Sequence, residues 1–318
     1  MHAVSADEDM KLAYHEDYYL PLPEPHPFPM RKYPLLYALL AAEGIAVPAA
    51  MLRPTEIPLE TLARVHTRDY LQRLASGSLA PGELRRLGLG WSPGLWRRAR
   101  LVAQGTLLAM RAALADGIAG NLAGGTHHAF ADRGEGYCLL NDVAVAVRAL
   151  LDGGEIQRAL IVDVDVHQGN GTAAIFAAEP AVFTLSLHGE RNYPVVKVPS
   201  SLDIGLPDGT TDGEYLAALR RGWETALAAG RHDLVVYLAG VDPAAGDRLG
   251  RMRLSEAGLM ERDRFVLEQA HHAGLPVGIV LGGGYAAEPQ RTAWLHANTF
   301  RVACQMAEGR RRTEPAAR

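Results

Sequence analysis

Four short apolar runs recur in the second half of the chain: Ala159-Leu160-Ile161-Val162, Val182-Phe183-Thr184-Leu185, Leu234-Val235-Val236-Tyr237 and Val277-Gly278-Ile279-Val280. Runs of this length, without strict polar alternation, read as strands buried on both faces. Amphipathic stretches lie between them, predicting helices near 142–152, 172–178, 213–229 and 255–273. Thr211 and Glu214 supply a capping box for the third of these. A further helix near 288–308 leads into an Arg-rich tail expected to fray from about residue 309. The N-terminal third is more helical, with patterns near 31–43, 59–75 and 95–115. Alternation of strand and helix from about residue 117 predicts an α/β fold, with three αβα layers around a mostly parallel sheet. No linker interrupts the pattern, so residues 1–318 are expected to form one catalytic domain.

Two segments break this regularity. Pro21, Pro23, Pro25, Pro27 and Pro29 alternate through one, favouring an extended loop. The other, about 188–212, reads as a long loop, and loops of that length in a compact domain are usually functional or disordered. Both are candidates for a pocket rim or for plain surface.

Composition removes several functions. The formal net charge is −4 over 318 residues, with 48% hydrophobic positions. That balance argues against a general nucleic-acid binder, which would present a basic face. Positive charge is almost all Arg, since Lys11, Lys32 and Lys197 are the only lysines. Cys138 and Cys304 cannot form a disulfide framework. No apolar run reaches the ~18 residues of a membrane span, and residues 1–8 lack the pattern of a secretory signal. A cytoplasmic location is expected.

Candidate chemistry gathers at strand ends, where ligands sit in parallel sheets. Asp163-Val164-Asp165-Val166-His167 follows the run at 159–162, and on an extended chain residues two apart share a side. Asp163, Asp165 and His167 are therefore expected to project together. Buried carboxylates beside an imidazole are costly unless a cation neutralises them, and this ligand mix suits zinc. The plainer alternative is an acidic strand end capping the next helix. Asp242, in Ala239-Gly240-Val241-Asp242-Pro243, is alone only a turn starter. Joined to Asp165 and His167, it would complete a two-Asp, one-His set with a position open for water, the mark of a catalytic zinc site. In Gly124-Gly125-Thr126-His127-His128, the paired histidines could be ligands, general bases or surface residues. Leu281-Gly282-Gly283-Gly284-Tyr285 presents a phenol on a glycine turn, and no Lys-Ser/Thr pair follows to make it a phosphate loop. A Tyr beside a metal can donate to a carbonyl oxygen that is gaining charge.

Taken in order, GGTHHAF with GYCLLND, then DVDVHQGNG, AGVDPAAGDRLG and GGGY, these motifs resemble the histone deacetylase family, part of the arginase–deacetylase fold group. The resemblance covers about 124–285. Asn170, the GDRLG stretch from Gly246 to Gly250, and His26-Pro27-Phe28 are most similar to class IV members and their bacterial relatives. It implies one catalytic Zn²⁺ on Asp165, His167 and Asp242. His127 and His128 would stand near the metal-bound water, paired with Asp163 and Asn170, with His128 the general base, and Tyr285 would be the catalytic tyrosine. A structural K⁺ is implied at Asp163, Asp165, His167, Ser186 and Leu187. Gly136, Tyr137 and Gly283 would line the acyl-lysine channel, and Cys138 would be a buried wall residue.

The implied activity is hydrolysis of an N-acyl amide, of acetyl-lysine or a longer acyl-lysine. The stretch Gly88-Leu89-Gly90-Trp91-Ser92-Pro93 lacks the rim acid by which many family members hold a peptide backbone. Acetylated polyamines or other small acylated amines are therefore an alternative. A non-catalytic acyl-binding protein is disfavoured by the complete set of ligands, histidines and tyrosine. A two-metal ureohydrolase would need carboxylates where Gln168 and Asn170 stand.

Overall fold

The computed structural model describes residues 10–313. Among them, eight strands form one sheet: β1 (Lys11–Ala13), β2 (Met51–Leu52), β3 (Ile118–Asn121), β4 (Ala159–Asp163), β5 (Val182–Gly189), β6 (Leu202–Leu206), β7 (Leu234–Leu238) and β8 (Val277–Val280). Their spatial order is β2-β1-β3-β8-β7-β4-β5-β6, and every pairing is parallel. The long connection at 188–212 carries the edge strand β6. Its alternating, half-exposed Leu202–Leu206 gives little of the apolar signal that marks a central strand.

Period-two geometry divides each central strand between two cores. Leu160, Val162, Val235, Tyr237, Val277 and Ile279 pack on one face, and Ala159, Ile161, Leu234, Val236, Leu238 and Val280 on the other. The helices are α1 (Lys32–Ala42), α2 (Leu59–Leu62), α3 (Arg68–Ser76), α4 (Pro81–Leu87), α5 (Pro93–Asp116), α6 (Asp142–Asp152), α7 (Asn170–Phe176), α8 (Asp212–Ala228), α9 (Glu256–His272) and α10 (Pro289–Thr313). The first core takes Leu36 and Leu40 of α1, Tyr215 and Trp223 of α8, Val266 of α9 and Phe300 of α10. The second takes Tyr70 and Leu74 of α3, Met110 of α5, Val143 and Val147 of α6 and Phe176 of α7. This is the expected three-layer arrangement. The capping box at Thr211 and Glu214 is formed. The helix expected to end near 308 runs on to Thr313, and the remainder of the tail, 314–318, lies outside the described residues.

The helix expected over 59–75 is two helices. Thr67 is extended, and its hydroxyl accepts a hydrogen bond from Tyr70 N to start α3 afresh. The break lets His66 turn inward. Its Nδ1 donates to the Phe130 carbonyl and its Nε2 accepts from Asn141 N, both at 3.0 Å. Only the neutral ring can do both, and burial depresses its pKa to about 4. The unfolded chain titrates near 6.5. The contribution of His66 to stability is therefore complete above that pH and is lost as pH falls through 4. Urea-unfolding midpoints followed between pH 6.5 and 4 should decline less steeply in His66→Gln than in the parent. An unchanged slope would remove His66 from acid sensitivity.

Candidate active site

The site forms where β3, β8, β7 and β4, the middle of the sheet, release their chains at their C-terminal ends. Contrary to the extended reading of 163–167, β4 stops at Asp163. Asp163 Oδ1 accepts from Asp165 N at 3.1 Å and Asp165 Oδ1 from His167 N at 2.9 Å. Each Asp thus caps the amide two residues on, a turn-forming habit of this side chain, and strand periodicity is not what gathers the three groups. Asp163 turns toward His127, while Asp165 and His167 face Asp242.

Ligand atoms of Asp165, His167 and Asp242 lie within 4.8 Å of one another, and all three residues are buried. His167 Nδ1 stands 2.9 Å from Asp165 Oδ1 and 3.1 Å from Asp242 Oδ2. Burial and the Asp165 charge push the Asp242 carboxyl up to about 7. Burial opposes charge on His167 too, but the two carboxylates outweigh it and raise its pKa to about 10. Asp242 Oδ2 accepts no hydrogen bond, while Oδ1 takes the Val166 amide at 2.9 Å. A buried carboxylate oxygen without a donor, beside a second carboxylate and an imidazole nitrogen, is the donor set that a divalent metal satisfies. The residues fit a metal ion.

Gly283 shows how tightly the chain passes this cluster. Its amide donates to Asp165 Oδ2 at 2.6 Å, and a Cβ there would sit 2.0 Å from Asp242 Oδ2. Gly283 therefore lies directly against the two carboxylates.

His127 and His128 ride a loop pinned by Asp142, whose carboxylate accepts from Gly125 N and Thr126 N. His127 Nδ1 meets Asp163 Oδ2 at 2.6 Å. Burial works against its charge, but Asp163 and Asp165 prevail and push it up to about 9. His128 Nδ1 lies 2.7 Å from Asn170 Oδ1. Burial and the neighbouring His127 and His167 hold it well below the ordinary histidine range.

Glu135, which carried no signal in the sequence, settles the tautomer of His128. Its carboxylate can only accept, and Asn170 Nδ2 donates to it at 3.0 Å. That fixes the amide so that Oδ1 faces His128 and takes the Nδ1 proton. Nε2 is left as the unprotonated nitrogen. Tyr193, equally unforeseen, donates its hydroxyl to the same Glu135 oxygen and sets its ring edge-on to His128, with centroids 4.9 Å apart.

Tyr285 is held by its backbone: its amide donates to Asp247 Oδ2 at 2.6 Å and its carbonyl accepts from Arg248 Nε at 3.0 Å. Both partners belong to the Gly246–Gly250 stretch. Burial, with Asp165 and Asp242 nearby, pushes the phenol well above its ordinary pKa, so it remains a donor. A cavity of about 370 Å³ is lined by His128, His167, Tyr285, Gly136 and Tyr137. Gly136 has φ +54°, and a Cβ on it would meet His128 Cδ2 at 2.6 Å. Tyr137 is the one non-glycine residue with positive φ (67°) among those described, a strained backbone of the kind found at ligand sites. Phe28, from the proline-rich loop, contacts the rings of Tyr137 and Tyr285 at 5.3 and 6.0 Å, so that loop does form rim. Cys138 is buried and burial pushes its thiol up, as befits a wall residue. On the far side of β4, Asp163 stands in register with Ser186 of β5, next to Leu187. Ser186 Oγ lies 3.0 Å from His188 Nδ1.

A parallel αβα sheet with an acidic–imidazole cluster able to hold a metal ion, paired histidines and a tyrosine at its strand ends is the arrangement of the arginase–deacetylase fold. The family model for the histone deacetylase domain matches residues 26–300, and the chain belongs to the histone deacetylase family. It is 45% identical to an uncharacterized protein of Picosynechococcus sp. over 292 residues, covering 92% of this chain and 97% of that one. It is 32% identical to the histone deacetylase-like amidohydrolase of Pseudomonas aeruginosa, covering 79% and 70%. The solved structure of a histone deacetylase homolog from Aquifex aeolicus superimposes with a TM-score of 0.80 at 25% identity, covering 94% of this chain and 84% of the other. A solved structure of a histone deacetylase homolog complexed with SAHA matches with the same TM-score, identity and coverage. Among the described residues, no helix is long and apolar enough to cross a membrane.

Proposed function

We propose that the protein hydrolyses N-acyl amides, of acyl-lysine or a small acylated amine, as a zinc enzyme of class IV character. The observation that carries this reading is that His128, Tyr285 and His167 line one cavity, with Asp165 and Asp242 held against His167. Zinc bound by Asp165, His167 and Asp242 would lower the pKa of a water and polarise the scissile carbonyl. His128, kept neutral by burial and aimed by Asn170, accepts the proton of the attacking water and returns it to the departing amine. His127, kept cationic by Asp163, contributes electrostatically beside it. Tyr285 donates to the carbonyl oxygen as charge accumulates there, an interaction stronger in the transition state than in the substrate. Asp163, Asp165, His167, Ser186 and Leu187 are the candidates to enclose a K⁺ behind the site. Gly136 and Tyr137 flank the acyl chain.

The test is amide hydrolysis by zinc-loaded protein on acetyl-lysine peptides, longer acyl-lysine peptides and acetylated polyamines. Turnover lost on chelation and regained with Zn²⁺ supports the reading and reports acyl length and leaving amine. No turnover on any of them, despite one zinc per chain, favours an acyl-binding role. Within the same assay, Glu135→Gln should lower kcat by about tenfold to a hundredfold, the usual scale for a partner that orients a site residue through another. An amide at 135 can pair with either end of Asn170 and no longer enforces the His128 tautomer. A kcat equal to the parent's would show that Asn170 needs no such help.

A further inference from the structure

Four arginines from three separate segments line the same cavity as His128, His167 and Tyr285: Arg85 and Arg86 at the end of α4, Arg191 after β5, and Arg251 beyond β7. All four are exposed, so they surround the cavity's outer part, above the buried catalytic groups. No Asp or Glu joins them in the lining. Among the described residues, Arg251 approaches Asp208 at 3.4 Å, while Arg85, Arg86 and Arg191 have no carboxylate within ion-pair distance. Elsewhere on the surface, arginines such as Arg73, Arg97, Arg100, Arg111 and Arg301 are paired with acids. The protein as a whole is acidic, at −4, yet the cavity mouth gathers four arginines and no acid in its lining.

Resting on the hydrolase reading above, we infer that the leaving-amine portion of the substrate carries an anionic group, a carboxylate or a phosphate, received by Arg85, Arg86, Arg191 and Arg251. The acyl group occupies the narrow inner part beside Tyr137 and Tyr285. What remains at the mouth is whatever the amine is attached to. Guanidinium groups match carboxylate and phosphate oxygens with paired donors, and a cleft of one charge sign concentrates ligands of the other. An acetylated polyamine, whose free amines are cationic, meets repulsion at the same place. The mouth therefore selects among the amines that the catalytic residues alone leave open.

The experiment uses Nα-benzoyl-Nε-acetyl-lysine as the free carboxylate, as the neutral amide and as the cationic 2-aminoethyl amide, with an acetyl-lysine–phosphoserine dipeptide to separate phosphate from carboxylate. The acyl group and scissile bond are constant. The expected order of kcat/KM is anion, neutral, cation, with about tenfold or more between the extremes, expressed mainly in KM and narrowing as salt screens the mouth. In Arg85→Gln/Arg86→Gln/Arg191→Gln the ratio of anionic to cationic kcat/KM should collapse toward one. A flat or reversed series in the parent, or a ratio that survives the triple substitution, overturns the inference. If none of these amides is hydrolysed, the hydrolase reading fails separately. Kd values of metal-binding hydroxamates bearing the same three end groups then decide the inference, the same order supporting it and equal affinities overturning it.

Discussion

Tyr285→Phe should lower kcat by ~10²–10³ while leaving KM and metal content near the parent values. The substitution isolates one hydroxyl because everything else about Tyr285 is held by other groups. Its backbone is fixed by Asp247 and Arg248, and its ring sits among Phe28, Tyr137 and His167 with centroids 6.0–6.2 Å away. A phenylalanine ring fits the same space. What disappears is a buried donor that cannot ionise at neutral pH and so is available whenever the carbonyl oxygen gains charge. Single-turnover and steady-state kinetics with metal analysis of the same sample check this. A variant with parental kcat would take Tyr285 out of the chemistry, and one that had lost its metal would make it a structural residue.

Asp263→Ala should destabilise the fold by about 3–5 kcal/mol, the cost of stranding a buried charge. Arg262 and Asp263 are both fully buried. The guanidinium donates to Asp263 Oδ1 through Nε and Nη2 at 2.9 and 2.8 Å, and through Nη1 to the Gly240 carbonyl at 2.6 Å. Asp263 also accepts the hydroxyls of Tyr237 at 2.6 Å and Thr299 at 2.7 Å. One carboxylate thus ties α9 to β7 and α10. Removing it leaves Arg262 uncompensated and two hydroxyls without an acceptor. Urea-denaturation midpoints at constant m-value measure the loss. The pair replacement Arg262→Met/Asp263→Leu should lose less than Asp263→Ala, because it deletes both charges together. A larger loss would show that the ion pair itself, and not its breaking, sets the stability.

The parts of the fold and site that the sequence revealed share a physical property: their signal is local. β4, β7 and β8 are buried on both faces, so their apolar runs stand out without any partner being known. Asp165, His167 and Asp242 lie directly beyond such runs, where ligands gather in a parallel sheet. Features made by distant contacts left no such trace. β1 and β2 have three and two residues and show no period. β6 is a half-exposed edge. The break between α2 and α3 rests on Thr67 and on the pull of Phe130 and Asn141 upon His66. Glu135 acts through Asn170, 35 residues away in the chain, and Asp247 through the amide of Tyr285, 38 residues away. Both were within quoted motifs or next to one, yet a carboxylate near a glycine turn is common enough to mean nothing until its partner is seen.

The passage of Gly283 between two carboxylates bears on when the protein becomes functional after synthesis. Asp165 and His167 leave the ribosome long before Asp242, and the glycine turn that closes over them emerges later still. Until β7 and β8 insert between β3 and β4, the early ligands have neither their third partner nor the Gly283 amide that anchors Asp165. On the metal-site reading proposed above, metal capture would therefore be a late event, restricted to chains whose central strands are already in place. A fragment ending before residue 242 lacks one of the three proposed ligands, so on that reading metal loading would mark completed folding.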